Sequence, residues 1–249
     1  MACKLVSPAF NIGFDVSYGA FRRPIDPNTT DKFVIFGLPR SGNTWLQTMI
    51  ANVLDLPVID PWVEVGRAGV GMCHMPVSKE IMARTDFVHS VCLVRDIRDI
   101  AASYFMLGTR DDWKHKSPWY KYDDPEQFYF EYFTPRMESI YDIHGFWDHY
   151  AALNLPVVRY EDMVRNPEAA LGRVFDRVGL YVDPLGIREA VRVTRIEVLR
   201  EGGAQGYEPI PGSHFGRGQV GSYAKDLPPK VVRDIERRYQ GVLERWGYL

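Results

Sequence analysis

The passage Phe33-Val34-Ile35-Phe36-Gly37-Leu38-Pro39-Arg40-Ser41-Gly42-Asn43-Thr44-Trp45 constrains this chain more than any other. Lys32 to Gly37 is a short apolar run stopped by glycine, which predicts a buried strand. From Thr44 to Leu56, apolar residues recur at Trp45, Leu46, Met49, Ile50, Val53 and Leu54 before Pro57, which predicts a helix. A strand that runs through a tight polar loop into a helix aims loop N–H groups and the positive end of the helix dipole at one point. That makes it a ready anion site. Gly37 and Gly42 have the spacing of a nucleotide phosphate loop, but Asn43 stands where the ATP-binding version needs Lys. Arg40 instead brings a guanidinium that can grip two oxygens of a phosphate or sulfate.

Further along, Phe87 to Val94 reads as a second buried strand and Asp96 to Leu107 as a second helix with acidic residues in its first turn. Pro125 to Leu155 is helical in pattern and aromatic-rich, with a break expected near Pro135. Pro156 to Tyr160 reads as a third strand, Pro167 to Val178 as a helix, and Pro228 to Trp246 as a closing amphipathic helix. The glycine-rich stretch Glu201 to Ser222 has no period and reads as a long functional loop. Residues 1–30 read as a turn-rich lead-in. Strands alternating with helices predict an α/β fold: a single domain over 1–249, with a central parallel sheet flanked by helices, of the phosphate-loop nucleotide-binding type.

Composition narrows the function. With 30 Lys+Arg against 32 Asp+Glu, the chain is not a general binder of nucleic acid or anionic membrane. No apolar run approaches the roughly 18 residues that span a bilayer. The first residues show no secretory pattern, and three cysteines (Cys3, Cys73, Cys92) make no disulfide framework. A soluble, reduced, cytoplasmic protein is expected.

Pro39-Arg40-Ser41-Gly42-Asn43-Thr44-Trp45 resembles the 5′-phosphosulfate loop of the cytosolic-type sulfotransferases, Pro-Lys-Ser-Gly-Thr-Thr-Trp, with Arg40 for Lys and Asn43 for the first Thr. Val94-Arg95-Asp96 through Ser103 again sets a basic residue at a strand end that opens a helix, and resembles the family's 3′-phosphate motif of an Arg and a later Ser. His214 to Tyr223 is similar to the family's Arg-Lys-Gly-x-x-Gly-Asp-Trp segment, matching at Arg217 and Gly218. The resemblance implies a donor, 3′-phosphoadenosine 5′-phosphosulfate (PAPS), a product, adenosine 3′,5′-bisphosphate (PAP), and no metal. It implies that Arg40, Ser41, Gly42, Asn43 and Thr44 hold the phosphosulfate, and Arg95, Ser103, Arg217 and Gly218 the 3′-phosphate. It sets Trp45, Tyr160 and Thr194 around the adenine. His74, in Cys73-His74-Met75-Pro76, resembles the catalytic Thr-His-Leu-Pro segment, and a neutral imidazole suits proton abstraction from an acceptor. Met72 stands where the family often has a further Lys.

The expected reaction is in-line sulfonate transfer to a hydroxyl or amine of a small molecule, with His74 as base and Arg40 stabilising the leaving phosphate. Arg98 reads as a salt-bridged surface group, His89 as structural, and no Cys/His cluster has zinc spacing. The aromatic stretch Tyr104 to Phe133 (Trp113, Trp119, Tyr120, Tyr122, Phe128, Tyr129, Phe130) walls an apolar acceptor pocket or packs the core; both readings stand on sequence. So do two other functions: a nucleotide-dependent kinase with a degenerate loop, and a non-catalytic PAPS or PAP binder. The family's dimer motif is missing between Lys225 and Glu236, which leaves the oligomeric state open.

Overall fold

The computed structural model describes residues 25–75, 81, 86–110, 121–149, 154–202, 215–216 and 218–249, with the backbone of 150–152. Among them, strands β1 (Lys32–Gly37), β2 (Gly69–Cys73), β3 (Phe87–Val94) and β4 (Val157–Arg159) form one parallel sheet in the order β2-β1-β3-β4. Every residue of β1 is buried. Val34 and Phe36 pack on one face with Ile97, Ile100 and Phe133, while Phe33 and Ile35 pack on the other with Leu46, Met49 and Val174. A strand buried on both faces must be apolar throughout, which is why the sequence shows a continuous run there. Helix α1 (Asn43–Leu54) covers one face and helix α2 (Ile97–Gly108) the other. The chain leaves β1 for β2 on one side and β3 for β4 on the other. The carboxyl ends of β1 and β3 therefore flank the crevice where the connections diverge, the usual ligand position in such sheets.

Strand β2 is an addition to the three expected strands. Its glycines hide any period, and packing explains them: a Cβ on Gly69 or Gly71 would come within 2.7 Å of Ile59 or Pro61. The helix Pro167–Val178 lies where expected, started by Asn166 accepting from the Ala169 N–H and ended by Gly179 at φ 75°. The expected break near Pro135 is absent. Pro125–Phe128 continues through a π turn, Tyr129–Phe133, into Thr134–Ser139, and the Thr134 N–H reaches back to the Tyr129 carbonyl. Pro135 then sits in the first turn of the resumed helix, where a missing N–H costs least. The chain breaks instead over 140–145, ahead of Phe146–Ala152. The closing helix is two, Pro229–Arg238 and Gln240–Arg245, parted at the fully buried Tyr239 (φ −111°, ψ 22°). Helices Pro184–Val193 and Ile196–Gly202 complete the second face, and the latter takes the first residues of the expected long loop.

Lys32 sits at the start of β1 with no exposed surface. Its ammonium donates to Asp86 at 2.9 Å, the Thr30 carbonyl at 2.8 Å and the Val65 carbonyl at 3.1 Å, using all three protons. Removing one partner of a buried ion pair strands the other. Lys32→Ala is expected to lower the unfolding free energy by about 3 kcal/mol, read by urea denaturation; a loss under about 1 kcal/mol, the worth of an exposed pair, would show that Lys32 does not anchor the sheet.

Candidate functional site

After β1 the chain turns through Leu38 to Gly42, closed by the Ser41 N–H on the Leu38 carbonyl at 3.1 Å. Arg40 has a left-handed backbone (φ 69°), a conformation that costs a side-chain-bearing residue about 1–3 kcal/mol. Arg95, from the end of β3, holds it there by donating to the Arg40 carbonyl at 2.9 Å. Gly42 at φ 101° leads into α1, and a Cβ there would lie 2.6 Å from the Tyr160 ring. Asn43 donates to the Leu38 carbonyl at 2.8 Å, so its amide staples the loop to itself. Ser41 is fully buried, and its Oγ finds no partner among the described residues.

The second strand tip is built in the same way. Asp96 caps α2 by accepting from the Arg98 N–H. Arg95, buried beside it, lies with its guanidinium 4.0 Å from the Tyr160 ring centre, donates to the Gln219 carbonyl at 3.3 Å, and keeps a buried Nε without a partner. Ser103, further along α2, accepts from Arg40 Nε at 3.2 Å, so the two anion motifs meet directly. Arg98 is salt-bridged as expected, to Asp96 at 2.8 Å and Glu236 at 2.6 Å, but it is buried rather than on the surface. Asp99, with no exposure, accepts from the N–H groups of Gly221 (2.7 Å) and Tyr223 (3.1 Å). The late loop is thereby tied to α2.

His74 follows the end of β2. Its Nδ1 lies 2.6 Å from the Gly37 carbonyl oxygen. A carbonyl only accepts, so the proton sits on Nδ1 and Nε2 keeps a basic lone pair. Burial lowers the imidazole below its ordinary 6.5; the Gly37 bond opposes this and nearby Arg40 adds to it. His74 is neutral near pH 7.

These groups line one cavity of about 240 Å³. Arg40, Gly42, Asn43, Thr44, Trp45, His74, Arg95, Ser103, Tyr160 and Gly218 all border it. Ser41 and Thr194 do not. The Thr194 hydroxyl donates to Ala190 in its own helix, and its carbonyl accepts from Trp45 Nε1 at 2.9 Å. It seats Trp45 rather than facing the cavity. Arg217, His115, His214, Trp113, Trp119 and Tyr120 lie outside the described residues. Of the remaining aromatics, Tyr122, Phe128 and Tyr129 pack in the core, Phe130 is exposed, and only Tyr104 reaches the cavity. His89 is buried in β3, and His144 lies against Tyr239. No group of three or more metal-binding side chains occurs among the described residues.

Sequence reading passed over Arg110, which lines the cavity just past α2 and donates to the Phe215 carbonyl at 3.3 Å. No motif marks it. Burial, together with Arg95 and Arg110, pushes the Arg40 guanidinium down to about 10. Three guanidiniums around one cavity, an unsatisfied Arg95 Nε and a glycine-lined loop fit a ligand carrying several negative charges.

Residues 73–247 match the family model described as the sulfotransferase domain, and the chain belongs to that family. The match takes in His74, Arg95 and the late loop, while the loop after β1 precedes it. In fold the chain is similar to a mouse sulfotransferase complexed with PAP, at 16% identity over 91% of this chain and 87% of that one, TM-score 0.67. It is also similar to retinol dehydratase in complex with androsterone and the inactive cofactor PAP, at 15% identity over 91% and 85%, TM-score 0.62. No curated protein matches the sequence. Among the described residues no helix is long and apolar enough to cross a membrane.

Because the folded-state value of His74 lies below 6.5, the unfolded chain takes up a proton first as the pH falls. The stability linked to this group is full above about pH 6.5 and declines below it. NMR titration is expected to give His74 a midpoint under 6.5, and His74→Ala to flatten the decline in stability below that pH. A midpoint at or above 6.5 would contradict the buried, Nδ1-bonded geometry.

Proposed function

We propose that this chain is a PAPS-dependent sulfotransferase, soluble and cytoplasmic, whose residues 1–249 act as one catalytic domain on a small-molecule hydroxyl or amine. The observation that carries the reading is a neutral histidine, locked on the Gly37 carbonyl, in the same cavity as Arg40 and Arg95. When bound, PAPS supplies an activated sulfonate joined to a good leaving group, the phosphate of PAP.

The loop amides, Arg40, Gly42, Asn43 and Thr44 bind the 5′ end and neutralise its charge, with Ser41 buried behind the loop. Arg40 acts by electrostatics alone; even held down to about 10 it stays protonated near pH 7 and is a poor proton donor. Arg95, Ser103, Arg217 and Gly218 bind the 3′-phosphate. Trp45 and Tyr160, whose ring centres are 6.2 Å apart at 70°, border the base. Thr194 acts through its carbonyl on Trp45. His74 takes the acceptor's proton on Nε2, and no metal takes part. Leu107, Met72 and Tyr104 border the cavity with apolar surface, which favours an apolar or aromatic acceptor.

The test is turnover of PAPS with a panel of phenols, alcohols and amines. His74→Ala is expected to bind PAP as the parent does while losing about 10²–10⁴-fold in transfer. The parent's kcat/KM is expected to hold its plateau below pH 6.5, because the base has a lowered pKa. Transfer by His74→Ala equal to the parent would remove the base, and larger thermal stabilisation by ATP·Mg than by PAP would favour a kinase.

A further inference from the structure

We infer that Arg110 is a further cofactor-binding residue: a second cation, beside Arg95, on the 3′-phosphate of PAPS, which sets the preference for a 3′-phosphorylated nucleotide. The inference rests on the reading above and gives a role to a residue that no motif marks.

Helix α2 brings the groups together. Arg95 precedes it, Ser103 faces the cavity midway, and Arg110 follows in the turn that ends it, its N–H on the Leu107 carbonyl at 3.3 Å. Ser103 and Arg110 stand two helical turns apart on one face, about 10 Å along the axis. Side chains on a helix lean toward its N-terminus, which carries the Arg110 guanidinium back toward Ser103. Its charge is felt at Arg40, whose Nε donates to the Ser103 hydroxyl at 3.2 Å.

The late loop lies against the same two arginines. Arg110 donates to the Phe215 carbonyl and Arg95 to the Gln219 carbonyl, each at 3.3 Å, so the two cations bracket this stretch of loop. Gly216 and Gly218 both line the cavity between them. Gly218 is left-handed (φ 68°), a conformation that favours glycine. Gly216 lies outside the left-handed region, and a Cβ there would meet nothing within 4 Å. It also falls where the resembling Arg-Lys-Gly segment carries its first basic residue. The loop therefore lacks a cation at a position with room for one, and α2 delivers a cation to the adjoining carbonyl.

A phosphate monoester carries close to two negative charges near pH 7. Arg95 already holds the Arg40 carbonyl at 2.9 Å and lies on the Tyr160 ring. A neutral carbonyl is a weaker acceptor than a phosphate, so a ligand can take over the bracketing contacts of both arginines. Among the described lining residues, Asp226 is the one acid set against Arg40, Arg95 and Arg110.

The experiment is calorimetry at fixed ionic strength with PAP and adenosine 5′-monophosphate, on the parent, Arg110→Gln and the double variant Arg110→Gln with Gly216→Arg. Arg110→Gln is expected to lower the ratio of PAP to monophosphate affinity about tenfold, as loss of one charge-assisted contact predicts, with the monophosphate bound as in the parent. Moving the cation to the loop, in the double variant, is expected to restore most of that ratio. A merely structural role for Arg110 would allow no such rescue. An unchanged ratio in Arg110→Gln, an equal loss of both nucleotides, or a loss that Gly216→Arg leaves in place would each overturn the inference. The two readings fail separately: a parent with no preference for PAP removes the PAPS reading itself, whereas a parent preference untouched by Arg110→Gln removes only the role of Arg110.

Discussion

One hydrogen bond organises the site: the Arg95 guanidinium, at the tip of β3, donating to the Arg40 carbonyl beyond the tip of β1. Both strands are parallel, adjacent and buried, so their carboxyl ends are fixed side by side by the core. The loops that leave them are not fixed by the sheet. Arg95 joins them, and it also lies on the Tyr160 ring after β4 and reaches Gln219 in the late loop. Four separate stretches of chain thus converge on one side chain. The left-handed backbone of Arg40 persists because this contact holds it.

The same arrangement concentrates positive charge. Arg40, Arg95 and Arg110 border one cavity, and their mutual repulsion and burial show in the depressed Arg40. A folded chain keeps such a cluster only at a cost in stability, and a bound polyanion relieves it. The charge has a second consequence. Arg40 helps hold His74 neutral, so the group that attracts anions also keeps the nearby imidazole unprotonated, with a lone pair free to accept a proton. Asp99 balances the far side, where burial pushes its carboxyl up against the pull of Arg95 and two backbone N–H groups.

Much of this was legible in the residues. The loop from Gly37 to Trp45 could be read because a continuous apolar run, a glycine and a helical period follow one another without overlap. The helix Pro167–Val178 could be read because Asn166, Pro167 and Gly179 are strong local punctuation. What escaped depends on distant contacts. Two of the first three residues of strand β2, Gly69 and Gly71, are glycine for the sake of Ile59 and Pro61. Pro135 looks like a helix breaker until the π turn ahead of it is seen. Arg98 looks like a surface charge because its partner Glu236 is remote in sequence. Arg110 and the inward turn of the Thr194 hydroxyl carry no sequence signal at all, since each is set by tertiary packing alone.

The most direct test of the two-ended anion pocket is calorimetric: the affinities of PAP and of adenosine 5′-monophosphate, measured for the parent, Arg95→Ala and Ser103→Ala. The parent is expected to favour PAP by roughly 2–3 kcal/mol, the worth of a charge-assisted contact to the extra phosphate. In both variants that gap should shrink while the monophosphate still binds. Equal affinity for the two nucleotides in the parent, or a gap untouched by either substitution, would contradict the account.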